Sequence, residues 1–526
     1  MTTIPWLTLA IAAPAVGALV VAMLPREQAA LAKRIALGFT LATLAVVAVI
    51  AVNFDPNGPR LQFAQEHPWI ERFGVHYAVG VDGISLVLIA LSAVLVPLVM
   101  VASWSGRDGA SADSDGSTPD QGKAYFGLIL ILEAMMIGVF AAADVFLFYV
   151  FFEAMLIPVY FMIGRYGRGD AGERRRAALK FLLYSLFGGL LMLVAVIGVY
   201  VYGGTFLWSE LVGADGALSD LDSTVGIWLF LGFFVAFAIK APMWPVHTWL
   251  PAAAGSSRPG TAVLLVGVLD KVGTYGMLRY CLEMFPAAAQ WFVWPVVVLS
   301  LISIIYGALL AIAQTDMMRL IAFTSVSHFG FITLGIFVMT TQGQSGAALY
   351  MVNHGLATGA LFLVVGFLIA RNNSASITDY AGVQRIAPLL AGSFLVAGLS
   401  SLSLPGLSPF VSEFLVFLGA YAFHPVPAII AVIGIVLAAI YILWMYQRTM
   451  TGATPDRFRG WADLSGRELW AVGPLVALLV VFGVYPKPLL DTINPAVEQT
   501  MDQMDVSDPA PAFPAAQSGS EEGEAE

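Results

Sequence analysis

The chain has 526 residues, 59% of them hydrophobic and 11% charged, with a mean hydropathy of +0.83. A soluble protein carries about a quarter charged residues, so this composition excludes a water-soluble globular fold. A net charge of −10 offers no basic surface for nucleic acid, and the single cysteine, Cys281, excludes an internal disulfide, iron–sulfur cluster or thiolate zinc site.

Apolar runs of about 18 or more residues are candidate transmembrane helices. In chain order they fall at 4–24, 31–53, 84–104, 124–142, 144–164, 177–202, 225–250, 261–283, 290–312, 317–339, 345–371, 388–423, 427–450 and 468–487. These about fourteen spans predict an all-α polytopic membrane protein. The first run lacks a basic leader and is followed by Arg26, unlike a cleaved signal peptide. Beyond 487 the composition turns acidic and Pro/Ala-rich, as in disordered tails. No glycine-rich phosphate loop or dinucleotide fingerprint stands in a strand–turn–helix context, so no cofactor and no metal is expected.

Basic residues set the orientation. Loops after odd-numbered spans carry 18 of the 25 Lys and Arg residues, and loops after even-numbered spans carry three. Positive residues stay in the cytoplasm, which places both termini outside it.

Two spans share an unusual pattern. The seventh contains "KAPMWPVHTWLP" and the twelfth "LPGLSPFVSEFL", each with prolines at mid-membrane depth beside an acid or a base. They stand five spans apart, so equivalent helices of two five-helix repeats (spans 4–8 and 9–13) run in opposite directions. Inverted repeats with matching discontinuous helices are a recurring transporter architecture. The expected division is three N-terminal helices (1–123), a first repeat (124–283), a second, inverted repeat (290–450), a last helix (451–487) and the tail (488–526).

Mid-membrane positions hold Glu133, Glu153, Lys240, Lys271, His328, His354 and Glu413. A charged side chain at the bilayer centre costs at least about 2.5–3.5 kcal/mol, so each needs a reason. One such group can simply hydrogen-bond across helices; a series spread over successive helices reads as a proton relay. No permanently charged Arg belongs to the series, which favours proton transfer over voltage sensing. Asp144, Arg279 and Asp316 stand near span ends, where capping or snorkelling explains them, and Lys180 reads as an interface anchor.

"FFEAMLIPVYFMIG", "FAIKAPMWPVHTWLP", "VGVLDKVGTYGMLR", "AQTDMMRLIAFTSVSHFGF", "NHGLATGALFL" and "LPGLSPFVSEFL" resemble the antiporter-like, proton-pumping membrane chains of respiratory complex I, the NADH-quinone oxidoreductase. The resemblance runs from "VDGISL" near residue 80 to "FGVYPKPLL" near 487. Among the sister chains it is similar to the bacterial M type, because Glu413 stands where the L and N types carry lysine. The resemblance implies a subunit of the plasma membrane without cofactors of its own, lying beside L- and N-type chains, with NADH and quinone bound by other subunits. It implies that Glu153 pairs with Lys240, that Lys271 is the next relay lysine, that His328 and His354 are central, and that Glu413 is terminal. Two departures stand out. Ala252, Ala253 and Ala254 replace a usual Asp-Ala-His, and Asp270 precedes Lys271 where an apolar residue is common. The alternative is a subunit of a multi-subunit sodium/proton antiporter; a membrane scaffold is a third reading.

Overall fold

A computed structural model describes residues 4–105 and 123–510. The helices in chain order are α1 (Trp6–Met23), α2 (Ala29–Val52), α3 (Gly83–Ala102), α4 (Lys123–Ala141), α5 (Val145–Gly164) and α6 (Ala171–Gly203). Then come the halves α7a (Ser223–Lys240) and α7b (Trp249–Ser256), followed by α8 (Pro259–Leu282), α9 (Val293–Ile312), α10 (Met317–Phe337) and α11 (Thr341–Asn372). A second broken helix, α12a (Pro388–Ser401) and α12b (Ser408–Phe423), precedes α13 (Pro425–Met450) and α14 (Gly466–Val484).

Among the described residues, 13 helices are long and apolar enough to cross a membrane, and the broken α12 supplies one further crossing in two shorter pieces. The most apolar 18-residue stretches of α8, α10 and α11 are wholly buried, whereas those of α1, α2 and α14 are only about a third buried or less. Three central helices are thus screened from lipid by an outer ring. Large apolar side chains such as Phe187 and Val194 on α6, and Val432 and Val436 on α13, face outward from that ring.

Two elements depart from a purely helical bundle with a disordered tail. A hairpin of β1 (Gln62–Ile70) and β2 (Val75–Val81) fills the loop before α3, turning at Gly74 with φ of 61°. The segment expected to begin an acidic tail instead forms α15 (Lys487–Gln503). Its Ile493, Ala496, Val497, Thr500 and Met501 are buried, the spacing of an amphipathic helix with one apolar face. That face packs onto α3, so closely that a side chain at Gly83 would strike the Thr492 carbonyl. The acidic stretch after 510 lies outside the described residues.

These two elements are tied to the bundle by buried charges. Arg60, just before the hairpin, forms an ion pair with Glu283 beyond α8, and Thr500 of α15 donates to the same carboxylate at 2.6 Å. Asp82 caps α3 by accepting from Ser85 N and pairs with Arg279 of α8 at 2.7 Å. The Arg279 guanidinium also lies 3.7 Å from the Trp208 ring. Asp144 and Asp316 serve as N-caps of α5 and α10.

Removing one partner of a buried ion pair costs about 3–5 kcal/mol, because the other charge remains buried. Arg279→Met should therefore lower the melting temperature of the purified protein in detergent. Adding Asp82→Asn, which keeps a capping side chain, should restore part of the loss.

Candidate functional site

The polar centre begins at a proline. Pro158 lacks a backbone donor and crowds the carbonyl four residues earlier, so α5 is interrupted at Met155. Glu153 sits at that interruption. Its carboxylate rests on α6 where Gly189 has no side chain; a Cβ there would overlap Oε1.

Lys240 is the last residue of α7a, at the helix end where the dipole favours a cation. Its ammonium lies 4.8 Å from the Phe152 ring and 5.8 Å from Phe181. The resemblance implies a Glu153–Lys240 pair. The two side chains do interact electrostatically, but they form no ion pair within 4.0 Å, and Lys240 Nζ has no hydrogen-bond partner among the described residues. The pair is held apart, with the lysine against aromatic faces and the carboxylate against the α6 backbone.

The chain after Lys240 runs irregularly from 241 to 248, and the bundle supplies what the lost helix cannot. Trp249 Nε1 donates to the Ile239 carbonyl at 2.8 Å, and Ser303 Oγ of α9 accepts from Trp244 N at 2.9 Å. His247 is buried inside this break, its ring 5.4 Å from that of Tyr306.

Helix α8 carries Lys271 between two π-helical stretches, Leu265–Leu269 and Met277–Leu282. Such turns leave carbonyls of the preceding turn free, and Lys271 Nζ bonds one of them, that of Val266. The same ammonium meets His354 Nδ1 of α11 at 2.7 Å. The α8 and α11 backbones touch one turn away, where a Cβ on Gly355 would stand 2.7 Å from the Gly267 carbonyl. The His354 ring is 5.2 Å from that of His328 on α10, nearly perpendicular at 79°.

From His328 the row reaches two tyrosines. Nε2 stands 3.5 Å from the Tyr441 hydroxyl of α13, and the Tyr350 ring of α11 is 6.0 Å away. Tyr350 donates to Glu413 Oε2 across 3.5 Å. Glu413 lies in the first turns of α12b, beyond the second break. There Asn353, next to His354, donates to the Ser408 carbonyl at 2.8 Å and to Ser412 Oγ at 3.2 Å. The first break thus has a buried side-chain donor on a freed carbonyl, and beyond the second break Asn353 ties the first turn of α12b to α11.

The structure brings Lys271, His354 and His328 into direct succession, and Tyr350 links that group to Glu413. Glu133 stands apart: it is fully buried on α4, neither oxygen has a partner among the described residues, and no charged side chain acts on it. Tyr350 and Tyr441 were not singled out by the sequence reading. Tyr350 had a usable signal, since it precedes His354 by four residues and so shares its helix face; Tyr441 had none.

Losing the donor to a buried carbonyl costs about 1–3 kcal/mol. Trp249→Phe keeps an aromatic side chain, though a smaller one, and removes the N–H. It should lower thermal stability measurably, with the loss localised by faster amide exchange at residues 239–249.

A family model described as "NADH:quinone oxidoreductase/Mrp antiporter, TM" matches residues 142–438. NADH-quinone oxidoreductase subunit M of Mycobacterium tuberculosis is 52% identical over 540 aligned residues, covering 97% of each chain. A chain of respiratory complex I from Thermus thermophilus superposes with a TM-score of 0.82 at 31% identity, over 95% of this chain and 99% of that one. A chain of the Mrp complex from Dietzia sp. DQ12-45-1b also reaches 0.82, covering 95% and 98%, but at 22% identity this likeness concerns the fold alone. On the extent of these matches, the chain belongs to the NADH:quinone oxidoreductase/Mrp antiporter membrane family.

Proposed function

We propose that this chain is the M-type, proton-translocating membrane subunit of a bacterial NADH-quinone oxidoreductase. It lies in the plasma membrane beside L- and N-type neighbours, with both termini on the non-cytoplasmic side. It performs no redox step; NADH oxidation and quinone reduction take place in other subunits and drive it. The observation that carries this reading is the buried row of side chains from Lys271 through His354, His328 and Tyr350 to Glu413 of the second broken helix, with Lys240 buried at the first.

In this account Lys240 is the switch. Its ammonium is fully buried and lacks a hydrogen bond among the described residues, so the nearby carboxylate governs whether it keeps its proton. At an effective dielectric near 20, a carboxylate brought to about 4 Å stabilises the charged amine by about 4 kcal/mol. Glu153 stands beyond that distance and can approach or recede as a neighbouring subunit changes charge. Contact retains the proton on Lys240; separation releases it toward Lys271. Lys271, His354 and His328 then pass it along, and Glu413 exchanges it at the far end. Spans 4–8 and 9–13 act as inverted repeats, with Lys240 and Glu413 in related positions. Glu133 takes part at most through its charge, since it lies off the row.

The sodium/proton antiporter reading rests on a fold-level likeness, whereas identity over nearly the whole chain supports the oxidoreductase reading. Co-purification with quinone-reductase subunits separates the two. Lys240→Ala should abolish NADH-driven acidification of inverted membrane vesicles, read with a fluorescent pH probe, while the complex still assembles; normal acidification contradicts the relay.

Glu413→Asp should retain more pumping than Glu413→Gln, because the role requires a group that exchanges a proton. Equal rates in the same vesicle assay would reduce Glu413 to a hydrogen-bonding residue.

A further inference from the structure

Asp270 is a buried charge on α8 that neither the relay nor, unlike Arg279, an ion pair uses among the described residues. It is fully buried, and neither carboxylate oxygen has a hydrogen-bond partner among the described residues. An ionised carboxylate in that condition is too costly to be retained without use or compensation.

Its position follows from the backbone. On a straight α-helix, Asp270 and Lys271 would diverge by about 100°. Here Asp270 closes the π-helical stretch, its N–H bonding the Leu265 carbonyl five residues back at 3.1 Å. A π-turn holds more residues per turn, so successive side chains fan apart by less. One turn later α8 crosses the first break at contact distance. A Cβ on Gly273 would stand 2.6 Å from the Phe237 carbonyl and 2.7 Å from Ala241 N, the backbone on either side of Lys240. Asp270, three residues before Gly273, lies on the face that meets this break. Its charge accordingly acts on two groups, Lys271 and Lys240.

Among the described residues Lys240 and Lys271 share no hydrogen bond: Lys240 Nζ is unpartnered and Lys271 Nζ is engaged by Val266 and His354. Two ammoniums in one low-dielectric region repel, and a carboxylate that acts on both can hold a proton in transit between them. We infer that Asp270 is a proton-carrying bridge between Lys240 and Lys271, a role that rests on the relay reading and adds a member to it. The step balances. The Lys240 ammonium gives its proton to the Asp270 carboxylate, leaving a neutral amine and a carboxylic acid. The acid then gives the proton to a neutral Lys271 amine and returns to the carboxylate. Run backwards, the same two transfers carry a proton the other way.

The test compares Asp270→Asn, Asp270→Leu and Asp270→Glu with Lys240→Ala in inverted vesicles. Acidification driven by NADH is normalised to assembled complex. Asn keeps the shape without the titration, Leu restores an apolar residue, and Glu keeps the acid. The expected result is loss of pumping with Asn and Leu and substantial retention with Glu. If Asn impairs assembly, Leu carries the comparison. Pumping at the unmodified rate with Asn or Leu, or equal loss with Asn and Glu, overturns the bridge. Normal pumping by Asp270→Asn beside an inactive Lys240→Ala overturns the bridge alone; normal pumping by Lys240→Ala overturns the relay as well.

Discussion

Two helix breaks lie inside a bundle as thick as a bilayer, and the rest of the architecture depends on enclosing the backbone they leave irregular. Irregular backbone at membrane depth survives only when enclosed by protein or facing a polar cavity. The indole of Trp249 answers the Ile239 carbonyl freed at the first break, and the carboxamide of Asn353 anchors the first turn of α12b beyond the second. Both donors are buried, and Asn353 is adjacent to His354, so the same turn of α11 that closes the second break also holds the centre of the polar row.

Once the breaks must be enclosed, the helices between them must be enclosed too. The central stretches of α8, α10 and α11 have no face left for lipid, and these three helices carry Lys271, His328 and His354. The outer helices supply the apolar surface that pays for this arrangement. Close backbone approach between Gly267 and Gly355 draws α8 and α11 together, and the Lys271–His354 contact lies one turn beyond. Packing geometry and the order of the titratable groups are therefore one feature of the bundle, and disturbing either should disturb the other.

The spans were legible in the sequence because runs of apolar residues report burial in lipid regardless of tertiary detail. Both broken helices could be placed for a related reason: proline and charge are unwelcome at that depth. The hairpin at 62–81 was not legible, since Pro68 interrupts β1 and its mostly exposed residues give no apolar alternation. Helix α15 was hidden by low hydropathy and by Pro488 and Pro495; its apolar face shows only when wrapped at helical spacing. Within the site, the residue types were readable and part of the geometry was not. The π-helical turns of α8 rephase Asp270 and Lys271 in a way that no regular period anticipates. Glu133 reads like the other mid-span acids, and only the packing of α4 shows that no charged partner reaches it among the described residues.

The central claim is that protons travel along the buried titratable groups between the first break and the second. His354 is its midpoint, bonded to Lys271 at 2.7 Å and facing His328 at 5.2 Å. Replacing it with leucine fills much of the same volume while removing every exchangeable proton at that point. The decisive measurement is NADH-driven acidification of vesicles carrying His354→Leu, normalised to assembled complex. The account predicts loss of pumping with the complex intact. Pumping at the unmodified rate would show that protons do not pass this point.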